Sequence, residues 1–254
     1  MSSVSSAARG QRDPALRGQT VVVLGGSAGI GLATARQARA EGAEVIVTGR
    51  DPGRLQHAAS ELGARSTAAF DVMEFAALEQ FFRGLPTPID HLMVTAGRPH
   101  YGRLLDQPLA GAHSVFDEHL GLVLRVARNA ADKMRPGGTL LFMGGTGGRR
   151  PVVGQGIVST VSAALPALVA NLALELGPVR VNLIAAGFVD TPLSATILGD
   201  QLENRRQQLR STLLIRRVVE AADVAALAVH IMTNGALTGA TYDVDGGQQL
   251  VAGS

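Results

Sequence analysis

Along most of the chain, short apolar runs alternate with longer stretches in which apolar residues recur at helical spacing. The runs are TVVVLGG (20–26), AEVIVTG (43–49), STAAFDV (66–72), HLMVTAG (91–97), GTLLFMGG (138–145), VRVNLIAAG (179–187) and ATYDVDGG (240–247). Their length, their β-branched residues and the glycines that end most of them predict buried strands. Helical stretches of ten or more residues separate most of them. Strands alternating with helices in this way predict an α/β fold, doubly wound around a parallel sheet. With no linker and no repeat of solenoid length, residues 18–254 are expected to form one domain. Residues 1–17, which open with the Ser- and Arg-rich MSSVSSAARGQRDP, are expected to be a disordered tail.

Composition narrows the class without changing the fold. The 254 residues are 46% hydrophobic, with a mean hydropathy of +0.20, enough to bury a large core. No apolar run is expected to approach the roughly 18 to 20 residues of a membrane span, and the N-terminus lacks the apolar stretch of a secretory signal. A cytoplasmic protein without a membrane partner follows as the expectation. The absence of cysteine excludes disulfides, thiolate metal sites and a thiol nucleophile. No two of the six histidines stand at ligand spacing on one helix face, so no structural metal is expected. The pI of about 9.6 comes from scattered arginines rather than a basic face interleaved with aromatics, and no nucleic-acid partner is expected.

The strongest local signal is the first strand running directly into GGSAGIGLATARQARAEG. A glycine-ended strand followed at once by a helix presents backbone N–H groups and the positive helix end to a pyrophosphate, and side chains at Gly25, Gly29 and Gly31 would block its approach. The end of the second strand selects the dinucleotide. Where an acid would bind the ribose 2′-hydroxyl, VTGRDP offers Gly49 and then Arg50. The guanidinium fork suits a 2′-phosphate, which predicts NADP(H) over NAD(H). The alternative is that Arg50 is a solvated loop residue and Asp51 takes the ribose.

With these motifs in place the chain resembles the short-chain dehydrogenases/reductases over residues 18 to 249. The matching segments are GGSAGIG, FDV, TAG, RVNLIAAGFVDTP and LTGATYDVDGG. The resemblance implies a three-layer Rossmann-like fold with a seven-stranded parallel sheet, a nicotinamide cofactor, a small-molecule substrate and a homo-oligomer, dimer or commonly tetramer. Carried over by position, it implies cofactor contacts at Gly25, Ser27, Gly29, Ile30, Gly31, Arg50, Asp71, Val72, Ala96, Gly97, Gly187, Val189 and Thr191. Asp71 would meet the adenine, Ala96 and Gly97 would line a ribose, Val189 would use its backbone, and Thr191 would hold the nicotinamide carboxamide.

The same correspondence removes the family's proton relay. Glu175 of ALELGPVRVN fixes a register in which the tyrosine position is Val158, the lysine position Ser162, the serine position Gly145 and the asparagine position His119. No tyrosine or lysine lies between residues 135 and 241, so no shifted register restores the pair. The chain's single lysine, Lys133, falls at the sheet end away from the expected cofactor. Three groups of replacements are candidates. His119 could protonate or orient a substrate. His100 and Tyr101, in RPHYGR, could roof the pocket. Thr146, Arg149 or Arg150, in GGTGGRRP, could bind an oxyanion, unless those glycines merely let the backbone turn near the nicotinamide. Each has an ordinary reading as packing or a solvated surface. Two functions follow: an NADP(H)-dependent oxidoreductase with a non-standard proton donor, or a catalytically inactive NADP(H)-binding sensor or scaffold. In TPLSATILGDQLENRRQQLR, Leu193, Ile197 and Leu198 could contact substrate, while the charged run reads as a solvated, ion-paired helix face. Pro166, in the middle of a helix, is expected to kink it or break its hydrogen-bond ladder.

Overall fold

The computed structural model describes residues 13–150 and 152–251, apart from the side chains of residues 109, 110 and 112. In chain order the elements are β1 (Thr20–Leu24), α1 (Gly29–Ala40), β2 (Glu44–Gly49), α2 (Pro52–Leu62), β3 (Ser66–Ala69), α3 (Phe75–Gly84) and β4 (Ile89–Val94). There follow α4 (Leu109–Phe116), α5 (Leu122–Ala130), β5 (Met134–Gly145), α6 (Gly156–Leu176) and β6 (Arg180–Ala186). The last part comprises β7 (Val189–Asp190), α7 (Pro192–Leu198), α8 (Leu202–Thr212), β8 (Val219–Glu220), α9 (Ala221–Thr233) and β9 (Thr241–Val244). A π-helical turn, Asp117–Gly121, joins α4 to α5.

All seven expected strands are present and form one sheet in the order β3-β2-β1-β4-β5-β6-β9. Every pairing in it is parallel. The direction of winding reverses between β1 and β4, which opens a crevice at their C-terminal ends, the usual ligand position in such sheets. Strand alternation divides the core in two. Val21, Val23, Val45, Val47, Met93 and Ile184 pack against α1, α2 and α9 through Ala35, Ala38, Leu55, Val224 and Ala228. Val22, Leu24, Leu92, Val94, Leu140 and Phe142 face α3, α5 and α6 through Leu78, Phe82, Val126, Leu165 and Val169. The result is the doubly wound parallel sheet that the alternating pattern predicts, in the three-layer Rossmann-like form that the resemblance implies. The small β7–β8 pair was not anticipated, because two-residue strands carry no periodicity.

Two expectations are corrected. Residues 13–17 belong to the packed domain and not to a tail: Leu16 is fully buried, and the Ala15 N–H donates to the Glu41 carboxylate at 2.9 Å. Residues 1–12 of the expected tail, and 252–254 of the expected domain, lie outside the described residues. Second, α6 is long and apolar enough to cross a membrane by length and composition, with 21 residues and a mean hydropathy of 1.9 in its most apolar window. In this fold it is a core helix that buries Ile157, Val161, Leu165, Val169 and Leu172. Pro166 lies inside α6, which runs on from Gly156 to Leu176 with its ladder interrupted at this point, as expected. Proline lacks the N–H that would bond the Ser162 carbonyl. Both residues line a cavity of about 200 Å³ shared with Gly145, Gly148, Ala163, Ala185 and Thr241, so the interrupted rung faces open space rather than packed side chains.

The N-terminal edge of the sheet holds a buried polar network. Arg180, 6% exposed, donates to the carbonyls of Ile231 (2.9 Å), Met232 (2.9 Å), Leu237 (3.0 Å), Asn234 (3.1 Å) and Gly137 (3.1 Å), and to the Thr139 hydroxyl. One guanidinium thereby caps the end of α9 and ties it to β5 and β6. Asp90 accepts the Thr20 N–H at 2.8 Å and pairs with Arg135 at 3.0 Å. The His91 imidazole donates from Nε2 to Gln19 Oε1 at 2.6 Å. Burial, with the Arg180 and Arg135 charges adding to it, pushes the His91 pKa down to about 3. Lys133 lies at this same edge, where its carbonyl accepts the Ile89 N–H.

Candidate active site at the C-terminal edge

The glycine turn closes tightly on itself. A Cβ on Gly31 would collide with the Gly25 carbonyl oxygen and the Thr95 hydroxyl, and one on Gly25 would stand 2.8 Å from Thr95 Oγ1 and 2.9 Å from the Ala96 nitrogen. Thr95 Oγ1 donates to the carbonyls of Leu24 (3.1 Å) and Gly25 (3.2 Å), locking the end of β4 to the turn. Gly25 and Gly31 are therefore bare because the chain packs on itself here, a reason local sequence reasoning missed. Gly29 has room for a Cβ but a φ of +53°, which favours glycine. The helix that follows is left open at its amino end. α1 has neither a capping side chain nor an acid in its first turn; α6 shares both features, but only at α1 is the start lined by Gly25, Gly29 and Gly31. Unpaired N–H groups at a glycine-lined helix start fit a phosphate anion.

Some of the other residues expected to contact a cofactor lie near this start. A Cβ on Gly49 would lie 2.6 Å from Ser27 Oγ, so Ser27 is turned towards the end of β2. Arg50 Nη1 lies 3.7 Å from Asp71 Oδ2, with both side chains partly exposed. Asp51 is engaged elsewhere. It accepts the Arg54 N–H at 2.8 Å, and this backbone hydrogen bond holds its carboxyl below the usual carboxylate range. Asp51 spends one acceptor site on capping its own helix, whereas the Arg50 guanidinium has a single long contact, to Asp71. Ile30 packs against one core layer. Val72 and Val189, each 7% exposed, leave only their backbone for a ligand. Gly97 has no neighbour within 4 Å of a Cβ. A Cβ on Gly187 would meet Asp245 at 2.7 Å and Gln248 at 2.6 Å, so its bareness serves the C-terminal segment. Thr191 Cβ lies 3.5 Å from the point a Gly29 Cβ would occupy, which joins the sixth-strand segment to the glycine turn.

Beside Ala96 a narrow cleft is lined by Val94, Glu118, His119, Leu122, Val123, Phe142, Met143 and Leu165. Its polar groups come from the π-helical turn. In a π turn an extra residue is accommodated, so that successive side chains, here Glu118 and His119, both reach one cleft. Gly121 makes room for it: a Cβ there would collide with the Asp117 carboxylate, which turns away to Arg125 at 3.3 Å. His119 Nδ1 donates to the Val115 carbonyl at 2.9 Å. In that tautomer the neutral ring carries its lone pair on Nε2 and accepts hydrogen bonds there. His100 stands edge-on to His119, with ring centroids 6.2 Å apart, and its Nε2 is 3.5 Å from Glu118 Oε2. Two of the three proposed catalytic residues therefore meet, and they meet at Glu118, which sequence reasoning passed over. Its only signal was adjacency to His119, and regular helical spacing would have turned it away.

The other candidates fare differently. Tyr101 is 54% exposed and does not line the cleft. Arg149 makes a two-pronged pair with Asp243, one arm at 2.9 Å. Arg150 donates to the carbonyls of Gln248 (3.2 Å) and Val251 (2.5 Å). Both arginines thus brace the C-terminal segment and are not placed to hold an oxyanion. The glycines of GGTGG serve close packing on α6: a Cβ on Gly148 would lie 2.7 Å from the Ala163 nitrogen, and one on Gly145 would lie 3.3 Å from Ser162 Oγ. The serine and lysine positions of the family relay are thus neighbours in space, as the register requires, and carry a hydrogen and a hydroxymethyl. On α8, Arg206 forms paired 2.8 Å contacts with Asp190 and Arg210 meets Glu203 at 3.0 Å. That run is an ion-paired face, while Leu193 and Ile197 of α7 stay 42% and 43% exposed.

Comparison with known proteins agrees with this geometry. The family pattern described as Enoyl-(Acyl carrier protein) reductase matches residues 25–249. The short-chain dehydrogenase/reductase ucsE of Acremonium sp is 31% identical, with 92% of this chain and 97% of that one aligned. Among solved structures, a small-chain dehydrogenase in complex with NADPH superposes with a TM-score of 0.78 at 28% identity, covering 91% of this chain and 99% of the other. A short-chain dehydrogenase from Burkholderia cenocepacia J2315 in complex with NADP gives 0.81 at 27% identity, covering 92% and 99%.

Proposed function

The chain belongs to the short-chain dehydrogenase/reductase family, and from that premise we propose that it is an NADP(H)-dependent oxidoreductase acting on a small molecule. The observation that carries this reading is the uncapped, glycine-lined start of α1 with Arg50 at the end of β2 and Asp51 committed to its own helix. The solved relatives bound to NADPH and NADP support the same cofactor. Gly25, Ser27, Gly29, Ile30 and Gly31 would hold the pyrophosphate. Arg50 and Asp71, with the backbone of Val72, would hold the adenosine end. Ala96, Gly97, Gly187, Val189 and Thr191 would hold the nicotinamide end, where the bound cofactor supplies hydride chemistry.

His119 is the group placed to orient a substrate in the cleft and, when protonated, to donate to it. His100 supports that ring from the side. We further propose a homo-oligomer, a dimer or tetramer, on the strength of the outward face of α6. That face presents Thr160, Ala163, Ala167, Asn171 and Leu174, mostly small and exposed, as a close symmetric contact tolerates. Thermal unfolding with NADP+, NADPH, NAD+ and NADH at equal concentrations tests the cofactor reading. Binding to the native state at about 100 times Kd adds about 2.7 kcal/mol of stability. NADP(H) should raise Tm well above any effect of NAD(H). No shift with any of the four overturns the proposal.

A further inference from the structure

We infer that the cleft beside Ala96 takes a positively charged substrate, an iminium ion, with Glu118 as its counter-ion. The inference rests on the NADP(H) oxidoreductase reading and narrows its substrate class. A carboxylate in a largely apolar cleft favours a permanently cationic partner, which an imidazole is not. Glu118 has a side chain only 29% exposed and shares the cleft with Val94, Leu122, Val123, Phe142 and Leu165. Its contacts are the Ser114 hydroxyl at 3.2 Å and His100 Nε2 at 3.5 Å. Among the described residues no arginine or lysine stands within 4.0 Å of it. The neighbouring acid of the same turn, Asp117, does have such a partner in Arg125. The π turn and the bare Gly121 thus separate two adjacent carboxylates, sending one to an arginine and the other into the cleft.

The missing proton relay points to the same class. A neutral ketone gains a hydride at carbon and a proton at oxygen, and with Val158, Ser162 and Gly145 at the relay positions only His119 is left to supply that proton. An N-alkyl iminium gains a hydride at carbon while its π pair becomes the nitrogen lone pair. Its product is a neutral amine, and no proton is consumed. What such a substrate requires of the protein is a negative charge near the C=N bond and an apolar wall. Glu118 supplies the first, and the aliphatic and aromatic lining supplies the second. His119, with its Nδ1–H fixed on Val115, then serves orientation.

The test uses the full chain saturated with NADP+, so that no turnover occurs, and measures calorimetric binding of N-methylpyrrolinium against cyclopentanone. The iminium should bind at least about tenfold more tightly. Glu118→Gln, which keeps the hydrogen bond to Ser114, should remove that preference while leaving cyclopentanone and NADP+ binding unchanged. With NADPH, the wild type should reduce the iminium with stoichiometric loss of NADPH. Equal binding of the two probes, or an undiminished preference in Glu118→Gln, overturns the inference. If neither probe binds while NADP(H) still raises Tm, the cationic-substrate inference falls and the cofactor site stands. If NADP(H) itself fails to raise Tm, the oxidoreductase reading falls first.

Discussion

The two edges of the central sheet treat polar side chains in opposite ways. At the N-terminal edge, buried charge is satisfied within the chain: Arg180 reaches five carbonyls and a hydroxyl, and Asp90 holds a backbone N–H and Arg135. At the C-terminal edge, the start of α1 is uncapped, Arg50 has only a 3.7 Å contact with Asp71, and Glu118 has no arginine or lysine within 4.0 Å among the described residues. The same residue types serve stability where they are fully partnered and ligand recognition where hydrogen-bonding capacity is left over.

The comparison breaks most visibly at Arg180. Replacing it with methionine keeps much of the volume but strands carbonyls from α9, its following loop and β5. Unsatisfied buried acceptors are expensive, and a loss of about 3–5 kcal/mol is expected in urea unfolding. A loss below about 1 kcal/mol would show that solvent reaches these carbonyls and that the edge is not a buried network.

Much of this division was legible in the sequence, but unevenly. The sheet and the glycine turn were readable because their signals are local: short apolar runs ended by glycine, glycines at fixed spacing, and a helix directly after. Arg50 was readable because it ends a strand. The tasks of Arg149 and Arg150 were not, since their partners at Asp243, Gln248 and Val251 lie 94 to 101 residues away. Glu118 was missed for a conformational reason, because only a π turn brings it beside His119. Leu16 was assigned to the tail because a single buried leucine after a polar run has no period to betray it. The α6 helix shows the reverse hazard. Its single charge, Glu175, and its apolar composition read as a membrane span, while its division into core-facing and outward residues emerges only from packing.

At the C-terminal edge the contrast sharpens on Arg50. Arg50→Ala removes a partly exposed guanidinium with little role in packing, so Tm without ligand should change by less than about 0.5 kcal/mol equivalent. NADPH affinity should fall roughly 10- to 100-fold, in keeping with about 1.5–3 kcal/mol for a charge-assisted contact to phosphate, and NADH affinity should hardly move. Calorimetric titration of both cofactors reads the difference. Equal weakening would place Arg50 outside the discrimination and reopen Asp51 as the ribose ligand.

The smallest expected effect appears only in acid and belongs to the satisfied edge. His91 is held neutral in the folded state, with its pKa pushed from 6.5 to about 3 by burial and then by Arg180 and Arg135. In the unfolded chain the imidazole takes up a proton as pH falls through the ordinary value, while the folded chain does not, so the unfolded state is favoured progressively below it. By about pH 5 this costs on the order of 2 kcal/mol, and at neutral pH almost nothing. His91→Gln has no proton to take up and retains an amide donor for Gln19. Its stability should therefore fall less steeply than that of the wild type between about pH 7 and pH 5, even if the substitution lowers stability at every pH through altered packing. Parallel pH curves would mean that His91 is protonated in the folded protein, and that the N-terminal edge admits the water that the Arg180 and Asp90 contacts are here held to exclude.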